Sequence, residues 1–230
     1  MKKLAIFVEG KTEQIFSERL LIEVIGQNNI TVSKTKRFEK NLLTIIEAKS
    51  INPKKEYYVL IRDCGGDSSV KSDIIEHCEK LSESGYDRII GLRDVYPFTH
   101  AEIPALKMGL STRVPTKYIP IKIVLAIMEV EAWFLGEVSH YRKIHPSLTE
   151  SLVSTGVDFD PFRDNPESRS HPSIDLDDIY KIVGLRYTKT ENSIKRTIKA
   201  LDYSELYLSV KSKINSLNEF ITEVDSFVSR

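Results

Sequence analysis

Leu4 to Val8 is five apolar residues with no polar residue between them, closed at once by Glu9-Gly10. A strand with one wet face would alternate apolar and polar residues. An unbroken run has to be covered on both faces, which is the situation of a parallel strand between crossover helices. Tyr57 to Ile61 and Arg88 to Leu92 repeat the pattern and lead to Asp63 and Asp94, and Pro97 stops the latter run; Ile121 to Met128 makes a fourth and ends at Glu129. Between them lie helical spacings. Phe16, Leu20, Leu21, Val24 and Ile25 form one stripe, with Thr12 placed to cap the first turn, and Val70, Ile74, Ile75, Cys78 and Leu81 form another. This order predicts an α/β fold, a Rossmann-like parallel sheet flanked by helices with right-handed crossovers. Residues 31–38 add an expected edge strand.

The expected division is an α/β domain over residues 1–136 and a mainly helical C-terminal extension over 137–230. Within the extension, Pro161, Pro166 and Pro172 among charges and serines predict an exposed irregular stretch. From Ser216 the chain reads as a helix. Ser216 and Glu219 make a capping box, and Leu217, Phe220, Ile221, Val224, Phe227 and Val228 make an apolar stripe expected to dock on its own chain.

Charge narrows the function. The chain carries 33 basic and 33 acidic residues, so no global field draws it to nucleic acid or an anionic membrane, and any such contact has to come from a local patch. The longest apolar tract, Ile119 to Leu135, contains Pro120, Lys122, Glu129 and Glu131, and no membrane span is expected from it. Cys64 and Cys78, with an N-terminus that runs straight into a strand-length apolar segment, predict reduced thiols in a cytoplasmic setting.

In an open parallel sheet, ligands bind beyond the carboxyl ends of the strands, and Glu9, Asp63, Asp94 and Glu129 are expected there. Carboxylates brought together repel unless a cation neutralises them. Hard oxygen ligands suit Mg²⁺ or Mn²⁺, and the matching substrate is a phosphate ester, with a non-liganding Glu free to move a proton. Plainer readings stand beside this one. Asp63 precedes a Gly-Gly turn that it can brace, and Glu13 sits where a helix dipole favours an acid. Glu129 and Glu131, inside apolar sequence, share a face if the strand runs through both; cations or structural salt bridges would then neutralise them. Basic residues cluster at Lys34, Lys36, Arg37 and Lys40, and again at Arg186, Lys189, Lys195, Arg196 and Lys199. The second cluster, with Tyr187 and a helix from about Asn192, is the candidate surface for DNA or RNA, through Arg186, Tyr187, Lys195 and Arg196. A solvated helix face is its alternative. Lys189 is the candidate stabiliser of transition-state charge. No P-loop, GxGxxG, HExxH or GxSxG pattern is present, and the histidines show no paired-ligand spacing.

VEGKTE after the first strand, an aspartate closing a later one, and MEVEAWFLG after a fourth together resemble the TOPRIM fold of topoisomerases, primases and overcoming-lysogenisation-defect (OLD) nucleases. They resemble more closely a bacterial TOPRIM-like family of domains of unknown function, family 4276. The resemblance spans about residues 1–135, and extends more weakly to Tyr187 and Lys189. It implies Glu9 as general acid/base or ligand and Glu13 as the second acid of an ExxxE pair. It further implies Asp94 as the first acid of a DxD motif, and Glu129 or Glu131 as the later acid of a second metal site. Tyr96 stands where the second DxD aspartate is expected. The resemblance therefore implies either an Mg²⁺- or Mn²⁺-dependent nuclease or related phosphoryl-transfer enzyme, in a phage-defence or mobile-element system with a separately encoded ABC-type ATPase, or a catalytically silent module that binds that partner or nucleic acid.

Overall fold

The computed structural model describes residues 1–38, 42–47, 52, 54–66 and 69–229. Its strands are β1 (Lys2–Val8), β2 (Ile30–Phe38), β3 (Leu42–Glu47), β4 (Tyr57–Asp63), β5 (Arg88–Asp94) and β6 (Ile121–Ala126). They form one six-stranded sheet in the order β3-β2-β4-β1-β5-β6. The first strand lies inside the sheet, with β4 on one side and β5 on the other, both parallel to it. β2 pairs parallel with β4 and antiparallel with β3. The chain is α/β, as the apolar runs predict. β2, however, is interior, and the unforeseen β3 takes the edge.

The helices are α1 (Lys11–Ile25), α2 (Ser69–Glu83), α3 (Ile103–Ser111), α4 (Glu131–Gly136), α5 (His140–Ile144), α6 (Glu150–Gly156), α7 (Pro172–Lys181), α8 (Glu191–Ala200), α9 (Tyr203–Leu208) and α10 (Asn215–Val228). The chain divides into two compact units, one made of Met1–Arg93, Pro104–Leu125 and Thr222–Arg230, the other of Asp94–Ile103 and Ala126–Ile221.

In the first unit, Ala5, Phe7 and Ile89 pack with Val70, Ile74, Cys78 and Leu81 of α2. Cys64 and Cys78 are unpaired and fully buried. α2 also buries Asp73 completely, against Arg62 Nε at 2.9 Å and Arg37. Buried on α1, Gln14 donates to the carbonyls of Thr35 and Ile61. Asp63 Oδ1 accepts from the Gly65 N–H at 2.9 Å, bracing the turn. At the start of α1 the Glu13 carboxylate, not Thr12, closes the first turn by accepting from Gly10 N at 2.9 Å.

In the second unit, Trp133 is fully buried and donates to Ser216 Oγ at 2.7 Å, with Phe220 beside it. That bond corrects the expected capping box: α10 begins at Asn215, and the Glu167 carboxylate accepts from Asn215 N and Ser216 N. Along α10, whose residues from Thr222 on belong to the first unit, Leu217, Phe220, Ile221, Val224 and Phe227 are buried and Val228 is half-buried, so the stripe is covered within the chain. Pro172 opens α7 instead of ending an irregular stretch, its missing N–H being harmless at the first helical position. No helix among the described residues is long and apolar enough to cross a membrane.

Candidate functional site

Sequence places Asp94 at the last position of β5 and sends the chain past β6 into Ile127-Met128-Glu129. β6 stops at Ala126, and Met128 takes φ +60°, a conformation most non-glycine residues avoid. Glu129 N closes the turn on Ile127 O at 2.9 Å, and α4 starts at Glu131. The expected shared strand face for Glu129 and Glu131 is therefore corrected. The two acids sit on a turn and on a helix start, and they meet through other residues. Val95 N donates to Ala126 O and Tyr96 N to Met128 O, which lays the segment after β5 along the segment after β6. Asp94 Oδ1 accepts from Val130 N at 3.0 Å.

Glu129 is held from two sides. At the start of α7, Ser173 donates its N–H to Oε2 at 2.7 Å and its hydroxyl to Oε1 at 2.9 Å, while Lys189 Nζ reaches Oε1 at 2.9 Å. Glu131 is fully buried and accepts from the Tyr187 hydroxyl at 2.8 Å. Its other oxygen lies 3.3 Å from Lys189 Nζ, an ion-pair distance, but is not oriented for a hydrogen bond. Burial pushes the Glu131 carboxyl up; the Lys189 ammonium opposes this, and the Glu129 charge adds to it. Burial also acts to lower the Lys189 pKa, but Glu131, Glu129 and Asp94 outweigh it and hold the ammonium well above its ordinary value. Lys189 takes φ +52°. Strained backbone on both sides of one carboxylate–ammonium cluster is the sort of cost that persists where a surrounding structure fixes a site.

Asp94, Glu129, Glu131, Tyr187 and Lys189 are thus brought together in one unit. Glu9 and Glu13 belong to the other. There the Glu9 carbonyl accepts from Gly66 N at 3.0 Å, and Glu13 is engaged at the α1 start. Tyr187, expected on the candidate nucleic-acid surface, is buried, with its hydroxyl on Glu131 and its N–H on Asp177 Oδ1 at 2.7 Å. Arg186 pairs with Asp177 at 3.0 Å and Lys195 with Glu191 at 2.6 Å. The Arg196 guanidinium lies 5.5 Å from the Tyr180 ring centroid. Sequence reasoning missed Ser173 and Asp177. Pro172-Ser173 is a helix-start signature that marks the first; for Asp177, no sequence signal separates it from its half-buried neighbour Asp178.

Among the described residues, no three or more His, Cys, Asp or Glu side chains gather closely enough to hold a metal ion by themselves. Mg²⁺ commonly needs only one or two carboxylates, the rest of its shell being water and substrate phosphate. Glu129 and Glu131 face the Lys189 ammonium with hard oxygens and Asp94 adds to the field on it, and oxygen donors of this kind fit such a cation completed by substrate.

The family model described as Domain of unknown function (DUF4276) matches residues 8–224. No curated protein and no solved structure matches the chain.

Proposed function

The chain belongs to the DUF4276 family, a domain of unknown function, and from that premise we propose divalent-cation-assisted phosphoryl transfer, the cleavage of a nucleic-acid phosphodiester, at the cluster of Asp94, Glu129, Glu131 and Lys189. The carrying observation is one ammonium drawn against two buried carboxylates, with a third carboxylate contributing to its raised pKa. The resemblance of VEGKTE and MEVEAWFLG to the TOPRIM domain of OLD nucleases supports the same chemistry. Asp94, Glu129 and Glu131 supply the oxygens that would hold Mg²⁺ or Mn²⁺, which when bound neutralises phosphate charge and lowers the pKa of water. Lys189 offsets negative charge developing on the phosphoryl oxygens. Ser173 and Tyr187 fix the two glutamates so that neither has to reorient. Glu9 as proton carrier, and Glu13 as its acidic companion, rest on residue resemblance alone, as does a separately encoded ABC-type ATPase partner in a phage-defence or mobile-element setting.

Cleavage of DNA and RNA with Mg²⁺ or Mn²⁺, with and without the ATPase, tests this. Asp94→Asn, Glu129→Gln and Glu9→Gln are each expected to lower the rate by about 10²-fold or more, while circular dichroism reports an intact fold. Glu13→Gln is expected to cost less, its bond to Gly10 N answering a helix start. Tyr96 at the place of a second acid favours a second reading, a silent module that binds its partner without cutting. Absence of cleavage together with absence of cation binding would leave that one standing.

A further inference from the structure

Resting on the phosphoryl-transfer reading, we propose that Lys189 is a built-in competitor of the divalent cation, one that keeps the cation's affinity low until a phosphate anion draws the ammonium away. The geometry carries this. Lys189 Nζ lies 2.9 Å from Glu129 Oε1 and 3.3 Å from Glu131 Oε2, where a cation binding these two acids would have to approach.

The three side chains differ in their freedom. That of Lys189 keeps 41 % of its surface exposed, against 8 % for Glu129 and none for Glu131. The lysine can therefore swing into solvent while the glutamates stay. Glu129 keeps both Ser173 bonds when the ammonium leaves, and Glu131 keeps Tyr187. Glu131 Oε2, buried without a hydrogen bond, is the oxygen with the least to lose on taking a new cation. An ammonium and a divalent ion at the same carboxylates repel strongly in buried surroundings, so either excludes the other unless an anion joins them. A substrate phosphodiester is such an anion: it offers oxygens to both cations and lets them coexist. Cation and substrate then bind with positive linkage, each raising the other's affinity by the same factor.

The test uses the full chain and Mn²⁺ alone, titrated by electron paramagnetic resonance of free Mn²⁺ and by calorimetry, on wild type, Lys189→Met and Lys189→Arg. Lys189→Met is expected to bind Mn²⁺ about tenfold more tightly or better, because a like charge roughly 4 Å away has gone. Lys189→Arg, which keeps the charge, is expected to bind no more tightly than wild type. Removing the lysine also leaves two buried acids without their counter-ion, so thermal melting with and without Mn²⁺ accompanies the titration. Mn²⁺ is expected to raise the melting temperature of Lys189→Met more than that of wild type. Equal Mn²⁺ affinity in wild type and Lys189→Met overturns the proposal, as does a Lys189→Met chain unfolded alike with and without Mn²⁺. Wild type and Lys189→Met both failing to bind millimolar Mn²⁺ would overturn the underlying cation reading as well, and so separates the two failures.

Discussion

Tyr187 shows how one hydroxyl ties the site to its surroundings. Its O–H serves Glu131 and its N–H serves Asp177, which in turn pairs with Arg186 and with Lys181 at 3.0 Å. Burial acts to raise the Asp177 pKa, but its Arg186, Lys181 and Tyr187 partners outweigh this and hold it below the usual carboxylate range, so it remains a charged anchor. Tyr187→Phe deletes one oxygen and leaves the ring packing in place. Glu131 Oε1, in a fully buried side chain, then loses its Tyr187 donor, and an unsatisfied buried acceptor costs about 1–3 kcal/mol. Urea denaturation is expected to show a loss of that size with an unchanged m-value. A loss below about 0.5 kcal/mol would mean that water or another side chain replaces the hydroxyl, and that Tyr187 does not fix Glu131.

At the scale of elements, α5, α7 and α8 are joined by a buried polar relay. His140 donates from Nδ1 to the Glu137 carbonyl and accepts at Nε2 from Tyr180, 3.1 Å away, while Tyr180 and Thr197 share a hydrogen bond at 3.0 Å. Both ring nitrogens are satisfied by a neutral imidazole, and burial pushes the His140 pKa down from 6.5 to about 4. A depressed histidine makes the unfolded chain the better proton acceptor below pH 6.5. Its contribution to stability is intact above that value, declines as pH falls toward 4, and levels off once the folded form also protonates. The full loss is up to roughly 3 kcal/mol. Unfolding free energies at pH 7, 6, 5 and 4.5 are expected to fall more steeply for wild type than for His140→Gln; parallel curves would show that His140 already titrates normally. This relay was illegible in the sequence, because a lone His or Tyr on a helix gives no sign of its partner. β1, β4 and β5 were legible because each is apolar on both faces. β2 was misread as an edge because Thr31 and Ser33 alternate with Ile30 and Val32, although all four are buried. The end of β6 was missed because Ile127 and Met128 continue the apolar run, and the turn at Met128 uses neither Gly nor Pro. The acids of the site were legible as residues, but the Lys189 geometry that joins them was not.

For the whole molecule, balanced charge bears on the proposed contact with nucleic acid. The 33 basic and 33 acidic residues cancel globally, and most of the described members of the two basic clusters pair with an acid. In the first unit Lys34 pairs with Glu18 at 2.7 Å and Glu47 at 3.0 Å, Lys36 lies 3.6 Å from Asp63, and Arg37 pairs with Asp73; Lys40 lies outside the described residues. In the second unit Asp177 takes Arg186, Glu191 takes Lys195, and the acids of the site take Lys189. A phosphate that binds such a lysine replaces a carboxylate already there, so little counterion is released and little affinity is gained. Counterion release gives a slope of log K against log salt of about −0.9 per neutralised phosphate on duplex DNA. The chain alone, measured by fluorescence anisotropy on a 20-base-pair duplex between 50 and 200 mM salt, is therefore expected to give a slope no steeper than about −3. Its affinity at the upper end should be no better than the roughly 10⁻⁴–10⁻⁶ M of non-specific binders. Adding the proposed ATPase partner should steepen the slope and tighten binding if that partner supplies the grip and this chain the chemistry. A slope near −6 for the chain alone would show a phosphate-binding surface that the ion pairs do not neutralise, and the division of labour between chain and partner would then be wrong.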